Sequence, residues 1–541
     1  MKIFISIVLT LFSINLIAQM AITMPAEYEK NEGVIMTWPY SPDFDSTIAE
    51  ISGYVATSGD VWLIYNPDSM LTDTNDIRNF LEATGNNHDN IYFTQGYSNT
   101  FFVREYGPVF GYGVFDQALV RYIGDPLFED YNRPADDSIP AQLANLWQTD
   151  YVQYSLAFES GNILIDGEKN GFVSDVILEE NMPLTEEEIK QQLSEILNIS
   201  NITILDAPEH SGGGSMKSID MFMKLLDPET ILFTEIPDTL PDYNVIENNV
   251  SVVSNMTNVF GSPYEVVRIK AAPLDDGGYD TTLNGELRSY TNALVLNDLI
   301  LIPSYNNPEY DSAAIDIYRA NTYGMHIKMI DARALSQLHA AIHTITREKP
   351  QEHFLRIRHK KVEGSTEYYG NEYTINCLAT GDDIIDSMWL HYRFNSDTAF
   401  LQTTVHLVCP SYYAVIENVA QTDTIHYYLD ATLVNGTTIT YPLSAPDGFF
   451  SFWFDITGTE VWSQMDNKST IFPNPVNDYF IVKGNNKEFE YEITDAGGRL
   501  LDSGHGFSNS KIEVKQSLSP GIYFLLLRAK QRVESLKFVK L

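Results

Sequence analysis

The 541-residue sequence predicts an α/β domain over residues 20–350, followed by two all-β domains. Three observations carry this reading. Before REKPQEH (347–353), apolar strand-like runs alternate with amphipathic helical stretches; after it, the helical pattern stops. Beyond that point come short runs rich in aromatic and β-branched residues, separated by turn residues. Charge divides the chain as well. Residues 1–468 hold 24 basic and 65 acidic residues, a net of −41, whereas 469–541 hold 10 and 8, a net of +2.

Each element follows from its residues. Lys2 precedes the apolar run IFISIVLTLFSINLIA, which reads as a signal peptide over 1–19. The run is short for a membrane span, and no later segment offers 18 uninterrupted apolar residues, so export without a transmembrane segment is expected. GVIMTW (33–38), DVWLIY (60–65) and NIYFTQ (90–95) predict strands, with helices around 46–56 and 74–84 between them. LTEEEIKQQLSEIL (184–197) predicts a helix: Thr185 caps it, acids fill its first turn, and Ile189, Leu193 and Leu197 recur at helical spacing. LILIPSY (299–305) and MHIKMIDA (325–332) predict strands flanking a helix near 311–320.

Residues 351–456 contain YTINCLAT, SMWLHYRF, FLQTTVHLV, IHYYLDATLV and GFFSFWFDI, a spacing that predicts an immunoglobulin-like β-sandwich. Cys377 and Cys409, the only cysteines of the chain, lie there on separate predicted strands. Export would permit a disulfide, and the spacing leaves that open. Residues 457–469 predict a polar linker, and 470–541 a second small β domain.

Composition narrows the function. A formal net charge of −39 repels phosphate backbones, which excludes nucleic-acid binding and suits cationic ligands. Two cysteines exclude a disulfide-dense scaffold and a multi-cysteine metal site. The Gly212–Gly214 run is no phosphate loop, because it lacks G-K-[ST].

A set of strings in family order resembles the agmatine deiminase and Porphyromonas-type peptidyl-arginine deiminase family. They are PAEYEKNEGVIMTWP (25–39), VREYGP (103–108), YNRPADD (131–137), FESGNILIDG (158–167), SMKSIDMFMKLLDPETILF (215–233), SYTNALVLNDLILIPSY (289–305) and IDARALSQLHAAIHTIT (330–346). The resemblance implies a pentein fold, a five-bladed α/β propeller, and hydrolysis of a guanidino C–N bond, arginine to citrulline and ammonia, with no metal and no cofactor. Trp38, Glu105, Glu159, Ser218, Asn292 and Thr344 mark the implied site positions or their neighbours. Their separations of 67, 54, 59, 74 and 52 suit a ring of similar modules. The tail, with IFPNPVNDYFIV, YEITDAGGRLL and LSPGIYFLLL, resembles the C-terminal sorting domain of type IX secretion. That implies the secretion machinery as a partner and a secreted or cell-surface location.

The family's chemistry uses a cysteine thiolate on the guanidinium carbon, a histidine proton shuttle and two acids that hold the cation. Here the cysteine position aligns with Thr344, the histidine with Ser218, the first acid with Glu105, and the tryptophan before it with Phe102. Asp220, Asn292, Arg133 and the turn of Gly161, Asn162, Asp166 and Gly167 match; Ala135 stands where some members carry a second arginine. Catalytic positions are thus Thr344, Ser218, Asp220 and Glu105, and substrate-binding ones Phe102, Arg133, Asn292, Gly161 and Asn162. Arg133 is expected to take a substrate carboxylate. No cysteine precedes Cys377, and a threonine hydroxyl is a poor nucleophile without a base. His343 adjoins Thr344 and, on a strand, would face away; His339 or His210 could reach in. The expectation is a secreted family member impaired as a deiminase. The alternative is a guanidinium- or arginine-peptide-binding pseudoenzyme or an adhesion protein.

Overall fold

The computed structural model describes residues 23–454, except for 69–72, 85–88, 116, 129–131, 210–216, 284, 369 and 409–410, together with most of 470–540. The expected signal peptide and linker, His210 and Cys409 lie outside the described residues.

Residues 31–350 form five small sheets. In the first, β1 (Asn31–Thr37), β2 (Asp60–Tyr65) and β3 (Ile91–Gln95) run parallel. The next four share one plan, with the first strand antiparallel to the second and the second parallel to the third. They are β4 (Val109–Phe115), β5 (Ala118–Leu127) and β6 (Asp150–Ala157); β7 (Ile163–Ile165), β8 (Asn170–Ser174) and β9 (Asn201–Leu205); β10 (Met223–Leu225), β11 (Thr230–Glu235) and β12 (Glu265–Lys270); and β13 (Leu294–Leu296), β14 (Leu299–Ser304) and β15 (His326–Asp331). A parallel pair needs a crossover, and helices supply them at 42–55, 74–83, 139–147, 186–197, 243–254 and 308–321. The strand β16 (Arg347–Pro350) returns antiparallel to β1, pairing Ile35 with Arg347 and Asn31 with Pro350. The first and last strands of the region therefore share one sheet. The compositional break at 347–353 does not mark a gap in the fold, because its first residues close that sheet.

The sequence-predicted elements fall where expected, with shifted ends. The first helix starts earlier, at Pro42, because proline suits the first helical turn and Asp43 and Asp45 follow it. At 186–197 the capping box is complete: Thr185 accepts from the Glu188 N–H, and the Glu188 carboxylate accepts from the Thr185 N–H at 2.8 Å. Ile189, Leu193 and Leu197 are the buried face of that helix.

The chain divides into two compact units. One holds the five sheets together with residues up to 362, 374–416 and 425–451. In it, residues 374–381 alternate buried with half-buried or exposed ones and residues 425–433 buried with half-buried ones, as one-faced sheet strands do. Cys377 is buried and free there, its thiol pushed up to about 12 by burial. The other unit holds 363–373, 417–424 and 452–541. Its tail builds one sheet from 470–472, 479–483 and 511–513, and another from 488–495, 500–507, 521–529 and 532–540. Phe480, Val482, Phe489, Ile493, Leu525 and Phe538 form the core between them.

Candidate active site

In residues 31–350, the connection leaving the third strand of a sheet carries the polar residues. Glu105 lies between β3 and β4, Glu159 and Gly161 between β6 and β7, Ser218 and Asp220 between β9 and β10, and Asn292 between β12 and β13. His339 and Thr344 lie between β15 and β16. From Glu105 to Thr344, one such connection per sheet accounts for the separations of 54, 59, 74 and 52 residues; Trp38, which follows β1, stands outside that pattern. Glu105, Glu159, Gly161, Ser218, Asp220, His339 and Thr344 line one cavity.

Short turns set these side chains. Val103–Tyr106 is one helical turn in which Arg104 is 1% and Glu105 8% exposed. Ser160–Asn162 and Ile219–Met221 are single 3-10 turns facing the same cavity. Gly161 is required by close approach: a Cβ there would lie 2.9 Å from Arg104 Cγ, 3.2 Å from Asp220 Oδ2 and 3.4 Å from Ser218 Oγ. Asn162 organises the backbone instead of facing ligand, its Oδ1 accepting from the Ser174 and Ile219 N–H groups.

Asp220 and Thr344 are both held by Asn292. Its Nδ2 donates to Asp220 Oδ2 at 3.0 Å, and its Oδ1 accepts from the His343 N–H and from the Thr344 N–H and hydroxyl, the last at 3.3 Å. The Thr344 hydroxyl thus gives its proton to an amide oxygen, which is no base. Ser218 Oγ and His339 Nδ1, both in the cavity wall, carry no hydrogen bond among the described residues. His339 holds a left-handed backbone, φ 62°.

Sequence reasoning missed the layer beneath. His343 sits in a turn, not on a strand, and is fully buried. Its Nδ1 lies 2.7 Å from Asp220 Oδ2 and its Nε2 2.9 Å from Glu27 Oε1. Glu27 also pairs with Arg104 at 2.9 Å and Lys224 at 2.8 Å, and Arg104 with Glu348 at 2.5 Å. Burial pushes the Glu27 carboxyl up, but His343, Lys224 and Arg104 outweigh it and hold it well below the usual carboxylate range. Glu27, His343 and Glu348 come within 4.8 Å of one another, a spacing a cation could use. Arg104 and Lys224 already supply that positive charge. The strings PAEYEK and VREYGP contained Glu27 and Arg104 but no local sign that they meet.

Arg133 and Phe102 are engaged by other residues of the chain. Arg133 does not offer a free guanidinium to a substrate carboxylate. Its Nη1 donates to Glu105 Oε2 at 2.5 Å, its Nε to Asp136 at 2.7 Å and its Nη2 to Thr100 Oγ1 at 2.7 Å, because three acceptors converge on its planar fork. Phe102 does not line the cavity; its ring packs at a tilt against Phe101, with ring centres 4.7 Å apart, and against the core.

Residues 23–350 match the model of the Porphyromonas-type peptidyl-arginine deiminase family, well over half of the chain. The chain belongs to that family. Among relatives of this deiminase-family chain, a Legionella pneumophila protein named "Putative agmatine deiminase" is 25% identical over 349 residues, covering 61% of this chain and 96% of its own. Solved structures of agmatine deiminases from C. jejuni and Enterococcus faecalis share its fold, each with a TM-score of 0.50 at 17% identity over 61% of this chain and 97% and 96% of theirs. Residues 470–541 match a secretion system C-terminal sorting domain, which indicates type IX secretion to the cell surface or beyond. No helix among the described residues is long and apolar enough to cross a membrane.

Proposed function

We propose that this family member is a secreted arginine-binding protein that holds a guanidinium without hydrolysing it. One observation carries the reading: in a chain without a cysteine before residue 377, the hydroxyl at the nucleophile position donates to the Asn292 amide, so no base activates it. Ser218 at the shuttle position cannot exchange protons near neutral pH. The cavity nonetheless keeps Asp220, Glu105 and Glu159, acceptors suited to a planar cation. Asp220 Oδ1 carries no hydrogen bond among the described residues, whereas Oδ2 is taken by His343 and Asn292. With Arg133 already neutralising Glu105, the affinity should be modest, about −8 to −4 kcal/mol, or micromolar to millimolar.

The sorting domain favours arginine-containing peptides over agmatine, because outside the cell proteins are the abundant source of guanidinium. The reading includes a signal peptide at 1–19, five sheets acting as the blades of a propeller over 20–350, an immunoglobulin-like domain at 351–456, a linker at 457–469 and the sorting domain at 470–541. Calorimetry with arginine and lysine peptides tests it. Arginine should bind better than lysine, Asp220→Ala should lose the preference, and neither citrulline nor ammonia should form. Turnover by the unmodified protein, or equal binding of both peptides, would sink the proposal.

A further inference from the structure

A second cleft opens where the first unit's sheet-bearing part meets the strands after residue 350. Its walls come close because of a glycine pair. Gly324, at φ +61°, would place a Cβ 2.6 Å from Gly448 Cα, and a Cβ on Gly448 would lie 2.1 Å from the Tyr323 carbonyl oxygen. Tyr323 then meets Phe450 edge to face, with ring centres 4.7 Å apart. Val295, Leu355, Ile357 and Phe450 give the cleft an apolar body.

Its charged groups are matched, with one exception. Arg356 pairs with Glu29 and Arg358 with Glu168, while Asp227 lies 3.0 Å from Lys361. Asp166 is held by the backbone N–H groups of Glu168, Lys169 and Asn170. Lys30 lines the same cleft and makes no hydrogen bond or ion pair among the described residues. We propose that this cleft is a binding site for a small carboxylate with an apolar body, its anion on the Lys30 ammonium and its hydrocarbon against Val295, Leu355 and Phe450. Burial lowers the Lys30 ammonium from its ordinary range, against the pull of Asp298. Lys30 is half-buried, and an anion would pair with its ammonium while covering the apolar walls beside it. The half-buried Asp298 acts on Lys30 through its charge but makes no ion pair with it, lying instead 3.9 Å from His326.

The test uses the full chain, decanoate and decanol. Titration below micellar concentration should show saturable decanoate binding, with decanol at least about 10-fold weaker. Lys30→Met should weaken decanoate by at least about 10-fold and leave decanol unchanged, which also shows that the variant is folded. Val295→Trp should block both ligands. No saturable decanoate binding, equal affinity for acid and alcohol, or a Lys30→Met variant that binds decanoate as before would each overturn the proposal.

Discussion

Glu159 stands in the cavity wall, where burial and the carboxylates of Glu105, Glu180 and Asp220 push its carboxyl well above the ordinary range, against the Arg133 guanidinium. A raised acid holds its proton to higher pH in the folded chain than in the unfolded one. Its contribution to stability is therefore present below the ordinary carboxylate pKa and is lost as pH rises toward the folded value. Thermal melts at acidic and neutral pH should show Glu159→Gln gaining on the parent as pH rises; parallel curves would refute this. A bound guanidinium favours the ionised form, so in the pH range where Glu159 of the free protein still holds its proton, arginine-peptide binding should expel it. Calorimetry in buffers of different ionisation heat should detect that release, and Glu159→Gln should abolish it. At the nucleophile position, Thr344→Cys alone should remain near background in citrulline release. Thr344→Cys with Ser218→His is the better candidate, since nucleophile and shuttle act as a unit. Equal activity of the single and double variants would contradict that coupling.

At the scale of elements, two substitutions separate holding a helix from shaping the site. Thr185→Ala removes one half of the 186–197 capping box and should cost about 1 kcal/mol in urea unfolding. Arginine-peptide affinity should not change, because that helix supplies no cavity residue. Gly161→Ala forces a methyl group against Arg104, Asp220 and Ser218 in the 3-10 turn and should cost about 1–3 kcal/mol. It should also weaken binding. A Gly161→Ala protein with parental affinity would show that the turn does not shape the cavity. The capping box was legible because all its parts lie within four residues. The role of Gly161 was legible only through resemblance, since the atoms that crowd it come from residues 104, 218 and 220.

For the whole molecule, the charge break and the sorting-domain match predict that the tail is an address rather than part of the fold that binds ligand. A chain ending at residue 456 should remain folded, bind arginine peptides as before and accumulate in the periplasm. Its appearance in the medium would overturn the sorting role. Strand runs, helix caps and the α/β-to-β transition could be read directly from the residues, because periodicity and capping act over a few positions. Glu105, Ser218, Asp220 and Thr344 could be read as one site because their motifs resemble a family's. What each does was decided by contacts across the chain. His343 reaches Glu27 316 residues away, Arg104 reaches Glu348 across 244, and Arg133 turns from ligand group to partner of Glu105. Hydrogen bonds and ion pairs depend on distances of about 3 Å between atoms, and no local pattern in the chain encodes those distances.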